Sequence, residues 1–171
     1  ENYGRELQEL FTLGKGPDSK YTEADVKAAA RVLTGWRNSR TSVASYFDAT
    51  RHDITDKQFS SFFNNTIIKG KTGAAGADET NELIDMIFTK TEVARYICRK
   101  LYKYFIYYVI DADIENNIIT PLADEFINNN WDIKPVSAKL FKSEHFYDAN
   151  NIGCVIKNPT DLSIGLLKQF N

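Results

Sequence analysis

The sequence predicts a mostly all-α fold: a compact bundle of about six to seven helices with a small β-hairpin inserted near residues 46–69. Three observations predict it. Apolar side chains recur every three to four positions over most of the chain. Cap-like and Asn/Thr-Pro signals punctuate those periodic runs. Between residues 41 and 77 the periodicity fails, which marks a loop and hairpin insertion.

Taken in order, Asn2 can cap a first helix running to about Leu13, with Tyr3, Leu7, Leu10 and Phe11 as its apolar stripe. Gly14 supplies a C-terminal stop, and Gly16-Pro17-Asp18 makes a loop. Thr22-Glu23-Ala24-Asp25 resembles a capping box with Asp in place of Glu. It opens a second helix through Val26, Ala29, Ala30 and Leu33, where three consecutive alanines allow a close neighbour and Gly35 marks the end. Tyr46-Phe47 and Lys57–Phe63 read as extended pieces. Asn64-Asn65 can take φ > 0 and turn the chain into Thr66-Ile67-Ile68. Gly70, Gly73 and Gly76 follow in a flexible loop.

A third helix runs from about Glu79 to Thr89, with Leu83, Ile84, Ile87 and Phe88. Thr89-Lys90-Thr91-Glu92 fits a capping box for the longest helix, to about Ile110. Val93, Ile97, Leu101, Phe105 and Tyr108 are spaced there like a core face. Asp113–Ile119 forms a short helical turn. Thr120-Pro121 fits an N-cap followed by Pro at the first helical position. Asp132 caps another helix with Val136, Leu140 and Phe141, and Pro135 is tolerated in its first turn. Ser143 caps one more turn, and Asn158-Pro159 starts a last helix with Leu162, Leu166 and Leu167.

Residues 1–171 read as a single helical domain. Residue 1 already sits in a helical pattern, so the chain looks like a piece of a longer parent. With 43% apolar and 26% charged residues, its composition suits a folded domain. Net charge is −2, from 21 basic against 23 acidic residues, which gives no general pull toward nucleic acid or anionic membrane. The longest apolar stretch, Tyr104–Ile110, falls far short of the roughly 18 residues that span a bilayer. Cys98 lies in a helical run and reads as a small buried hydrophobe. Cys98 and Cys154 together make no disulfide framework or metal site.

Several stretches, in order and end to end, carry a resemblance. They are Asn2-Tyr3-Gly4-Arg5-Glu6-Leu7-Gln8-Glu9-Leu10-Phe11-Thr12-Leu13-Gly14, then Tyr21-Thr22-Glu23-Ala24-Asp25-Val26, then Ala29-Ala30-Arg31-Val32-Leu33-Thr34-Gly35-Trp36-Arg37. His52-Asp53 with Lys57, Ile84-Asp85, Lys100-Leu101, Ser143-Glu144-His145-Phe146 and Ile156-Lys157-Asn158-Pro159 continue it. Together these resemble a bacterial family catalogued as domain of unknown function 1800. The resemblance implies a C-terminal part of a protein several hundred residues long, exported or periplasmic. It also implies a neighbouring gene whose exported product resembles sulfatases. It brings no activity, cofactor or substrate. Gln8 stands where the family usually has Leu, and Gly4 where Ala is frequent. Gly4 is expected to cost the first helix about 0.5–1 kcal/mol relative to Ala.

The candidate site residues are Arg5, Glu6, His52 and Asp53. Arg5 and Glu9 are spaced i, i+4 and can pair along one helix face. With Glu6 they are either a substrate-polarising site or an ion pair that fixes the helix. An Asp beside a His can orient the ring or share a divalent metal with it, so His52 and Asp53 are also the metal-ligand candidates. Helical phosphohydrolases of the HD type need a further His upstream, which is absent here. The plainer reading is that His52 and Asp53 hold their loop with side-chain to backbone bonds. His145 has no nucleophile partner that spacing can argue.

Lys90, Arg95, Arg99, Lys100 and Lys103 interleave with Tyr96, Tyr102, Tyr104, Tyr107 and Tyr108. Helical periodicity explains this as a basic face beside an aromatic core face. Asp111, Asp113, Glu115, Asp124, Glu125 and Asp132 can offset that basic helix. Gly70-Lys71-Thr72-Gly73 resembles the tail of a phosphate-binding loop without its full spacing. Two functions follow: a structural or protein-interaction module, with the rest of the parent chain or the neighbouring gene's product as partner, or part of a hydrolase-like or metal-dependent enzyme.

Overall fold

The computed structural model describes residues 1–16, 19–39 and 41–170, so the expected turn at Pro17-Asp18 lies outside the described residues. Among the described residues seven α-helices of five residues or more form, with two antiparallel two-stranded hairpins. The chain divides into two compact units, Glu1–Tyr96 and the residues from Ile97 onward.

In the first unit, α1 (Asn2–Glu6) runs straight into a π-helical turn, Leu7–Thr12. Asn2 is not the cap. Glu1 holds that position without a side-chain bond, and the Asn2 amide donates to Glu6 at 3.3 Å. The stripe expected from Tyr3, Leu10 and Phe11 faces outward, at 63%, 47% and 61% exposed. The buried line is Gly4, Gln8 and Thr12 instead. The cause is a close helix crossing: a Cβ on Gly4 would lie 2.8 Å from the Ala30 backbone nitrogen. The small residues of both helices let the backbones meet. Gln8 donates to the Gly4 carbonyl at 3.2 Å, while its buried Oε1 has no hydrogen-bond partner among the described residues. Gly14 stops the helix at φ +78°.

The Thr22 capping box forms as expected and opens α2 (Glu23–Val32), which buries Val26, Ala28, Ala29 and Val32. Asp25 does more than cap. It accepts from the Thr22 N–H at 2.6 Å, and also from the Ser60 N–H at 2.7 Å and hydroxyl at 2.8 Å. One fully buried carboxylate thus ties α2 to the insertion.

The insertion holds two hairpins where one is expected. β1 (Trp36–Asn38) pairs with β2 (Ser45–Phe47), and β3 (Lys57–Gln58) with β4 (Ile67–Ile68). Tyr46-Phe47 therefore pairs back toward the end of α2, in register with Arg37 and Trp36. Ser61–Phe63 is a 3₁₀ turn capped by Ser60 rather than extended chain. Asn64 and Asn65 take φ of 57° and 54°, as their turn requires. The glycine segment is not a free loop. Gly73–Asp78 is a continuous 3₁₀ run, and a Cβ on Gly70 would meet the Ile54 carbonyl. α3 (Glu79–Phe88) follows and buries Leu83, Met86 and Ile87. The Thr89 hydroxyl donates to the Met86 carbonyl at its end.

α4 (Thr91–Phe105) supplies residues to both units and ends five residues before the expected Ile110. Its buried residues are Val93, Ala94, Cys98 and Tyr102. Phe105 and Tyr108, expected in the core, are exposed. In the second unit Asp111 caps a short turn, α5 (Ala112–Ile114). This continues through a π-helical turn, Glu115–Ile119, into α6 (Thr120–Asn128). Thr120 is thus no N-cap. The chain is already helical, and its hydroxyl donates to the Glu115 carbonyl at 2.9 Å. Asp132 caps α7 (Ile133–Lys142) and Ser143 caps the next turn, both as expected. α8 (Pro159–Phe170) starts at Asn158, whose side chain accepts from the Asp161 N–H.

Candidate functional site

Burial of charge selects the site. Lys57 and Glu79 are each 0% exposed, and His52 is 8%. β3 brings Lys57 in, the start of α3 brings Glu79, and the turn at Ala49–Arg51 delivers His52. The Lys57 ammonium meets Glu79 Oε2 at 2.5 Å. His52 Nε2 and the Lys71 N–H meet Oε1 at 3.0 and 2.6 Å. Burial pushes the Glu79 carboxyl up, but the bonds from His52, Lys57 and Lys71 outweigh it and hold it below its ordinary range. The other imidazole nitrogen, Nδ1, donates to the Thr34 carbonyl at 2.9 Å. Both ring nitrogens therefore face oxygen atoms, Nδ1 the Thr34 carbonyl and Nε2 the Glu79 carboxylate. Gly76 seats the ring, since a Cβ there would lie 2.6 Å from it.

Asp53 does not orient His52. Its carboxylate takes Arg31 Nε at 2.8 Å and the Thr55 N–H at 2.9 Å, and its carbonyl accepts from Lys57. The Arg31 bond, with those from Thr55, holds the Asp53 carboxyl well below the usual range against burial. The acid that faces the imidazole is Glu79, 27 positions away in the chain. Arg5 pairs with Glu23 at 2.5 Å rather than with Glu9, and Glu9 lies 3.6 Å from Lys15. Glu6 accepts from Asn2. The structure thus brings His52 beside Asp53 in the chain only. Among the described residues no hydrogen bond or ion pair joins Arg5 or Glu6 to either. No group of three or more His, Cys, Asp and Glu among the described residues is placed to hold a metal ion. Lys71, in the segment that resembles a phosphate-binding loop, pairs with Glu82 at 2.5 Å.

A groove of about 610 Å³ lies one layer from the buried charges, between α1, the end of α2 and β1. Thr34, which holds His52, and Thr80, next to Glu79, line it. Trp36 stands in its wall, with its indole N–H on the Thr80 hydroxyl at 2.8 Å and its ring edge-on to Phe47. Nothing in the sequence reading singled out this groove or Glu79. The signal available was Lys57 two positions before Phe59 in an extended run, which places both on one side.

In the second unit the acidic segment does offset the basic helix. Arg99 grips Glu115 with two bonds, at 2.8 and 2.7 Å. The buried Tyr102 hydroxyl lies 3.0 Å from His145 Nε2. Both cysteines are free, and burial pushes the Cys98 thiol up to about 12. No helix among the described residues is long and apolar enough to cross a membrane. α8 buries no residue, and Leu162, Ile164, Leu166, Leu167 and Phe170 are 47–80% exposed.

A search of curated proteins and a search of solved structures each gave no match. A family model described as "Protein of unknown function (DUF1800)" matches residues 1–171, the whole chain. The resemblance carried by the opening helix, the capped alanine helix and the His52-Asp53 loop is therefore a true kinship, and the chain belongs to the DUF1800 family.

Proposed function

We propose that the chain is a structural or protein-interaction module of an exported bacterial protein. The observation that carries this reading is where its polar candidates spend their bonds. Arg5 is held by Glu23, Asp53 by Arg31 and Thr55, and His52 by Glu79 and Thr34. Groups committed inside the fold are poorly placed to act on a substrate. The outer face of α8 supports the same reading, because a helix apolar on most sides is stable when covered. The partner in this reading is the exported product of the neighbouring gene.

Co-expression of the two proteins, followed by size-exclusion chromatography with light scattering, tests it. The expected result is a complex that the double variant Leu166→Lys, Phe170→Glu no longer forms while its melting temperature stays unchanged. A thermal-shift series with Zn²⁺, Mn²⁺ and Mg²⁺ tests the rival enzyme reading. No complex, together with a metal-induced rise in Tm that His52→Ala abolishes, overturns the module in favour of a metal-dependent enzyme.

A further inference from the structure

We infer that the groove between α1, α2 and β1 is a binding site for an uncharged sugar, with one of its rings seated against Trp36 and Tyr3. The first support is a pair of open aromatic walls. Trp36 and Tyr3 both line the groove and stay 41% and 63% exposed. The Trp36 indole N–H is tied to Thr80 and its ring packs against Phe47 at 5.5 Å, so that wall is set in place before any ligand arrives. The C–H bonds on the flat face of a pyranose carry partial positive charge, which suits the negative face of an aromatic ring.

The second support is the polar lining beside Trp36. In the β1–β2 ladder Trp36 pairs with Phe47 and Asn38 with Ser45, so these four side chains share one face of the hairpin. Asn38 and Ser45 line the groove, and their side chains make no hydrogen bond among the described residues. The Thr80 hydroxyl accepts from Trp36 and keeps its own hydrogen to give. One amide and two hydroxyls can both give and take hydrogen bonds, as the hydroxyls of a sugar do. The third support is size and charge. About 610 Å³ falls within the range that encloses a small organic molecule. Arg37 alternates to the other face of β1, and its charge acts on the Asp48 carboxylate. Glu1 lines the groove, so the local field disfavours an anionic ligand.

The test titrates the 171-residue chain by calorimetry with cellobiose, maltose, lactose and chitobiose. Sorbitol and glucuronate serve as comparisons. A parallel titration follows Trp36 emission in the chain carrying Trp131→Phe, where Trp36 alone reports. At least one disaccharide is expected to bind with a millimolar Kd or better and to change that emission. Sorbitol has the hydroxyls without a flat ring face, and is expected to bind at least about tenfold more weakly. Tyr3→Ala and Asn38→Ala alter exposed side chains, and each is expected to weaken the sugar about tenfold while Tm holds. No disaccharide bound at millimolar concentration overturns the site, as does affinity that neither variant changes. Glucuronate binding more tightly than every neutral sugar overturns the ligand class. Calorimetry on the unaltered chain stands even if Trp131→Phe does not fold. It also reads independently of whether α8 docks a partner.

Discussion

Gly4 shows how a residue's effect on stability is set by what it faces. Helix propensity alone makes Ala the better choice, by about 0.5–1 kcal/mol. In the structure a Cβ at this position would also lie 3.0 Å from the Val26 carbonyl, and backbone atoms cannot swing aside. Gly4→Ala is therefore expected to lower stability by about 1–3 kcal/mol, the usual cost of overpacking. Urea unfolding measures it, and a more stable variant would show that the crossing is looser than described. Lys57 poses the same question for charge. Replacing it by Met leaves the buried Glu79 carboxylate without its ammonium, at a cost of about 3–5 kcal/mol. Arg5→Met, on an exposed pair, is expected to change the urea midpoint hardly at all. Equal effects from the two would mean that burial does not decide. Neither contrast was legible beforehand. Gly4 read as a weak helix residue and His52-Asp53 as the obvious pair, because chain neighbours are visible in a sequence and a partner 27 positions away is not.

At the scale of elements, starts were legible and faces were not. The boxes and caps at Thr22, Asp132, Ser143 and Asn158 form because each is a local bond between a side chain and a backbone a few residues on. Which side of a helix turns inward is a tertiary matter. On α4 the hydrophobic spacing pointed to Val93, Ile97, Leu101, Phe105 and Tyr108; Val93 is buried as expected, but Ala94, Cys98 and Tyr102 carry the rest of the deeply buried line. The π-helical turns at Leu7–Thr12 and Glu115–Ile119 shift the facing of the residues beyond them, and no 3.6-residue template anticipates that. Asp25 joins the legible and the hidden. Its box with Thr22 can be read from sequence, but its hold on Ser60 cannot. Thr22→Ala is expected to cost about 1 kcal/mol, as a lost cap does. Asp25→Ala is expected to cost about 3 kcal/mol, since charged bonds to two elements go together. Thermal unfolding of both variants checks the order. Matching losses would mean that the Ser60 contacts contribute nothing.

For the whole molecule, the two units differ in how acid should reach them. In the first, Asp53 and Glu79 are both held below the ordinary carboxylate range, and Glu79 is fully buried while Asp53 is partly exposed. A carboxyl whose folded value is depressed adds stability above its unfolded value, about 3.9 for Asp and 4.3 for Glu. That stability is lost as pH falls from there toward the folded values. In the second unit the corresponding group is Glu125, held low by Lys139 and Asn129 at a position more open than that of Glu79. The first unit should therefore lose more stability between about pH 4 and pH 2. The chain carries one tryptophan in each unit, so the two can be watched separately. Trp36 is tied to Thr80, and Trp131 packs edge-on against Phe126 at 5.2 Å. Acid titration of Trp131→Phe reports the first unit, and of Trp36→Phe the second. The Trp36 signal is expected to change at the higher pH, and Glu79→Gln is expected to flatten the acid dependence of what remains. Coincident transitions, or a Trp131 change that comes first, would mean that the buried cluster at His52, Lys57 and Glu79 does not set the acid limit of its unit.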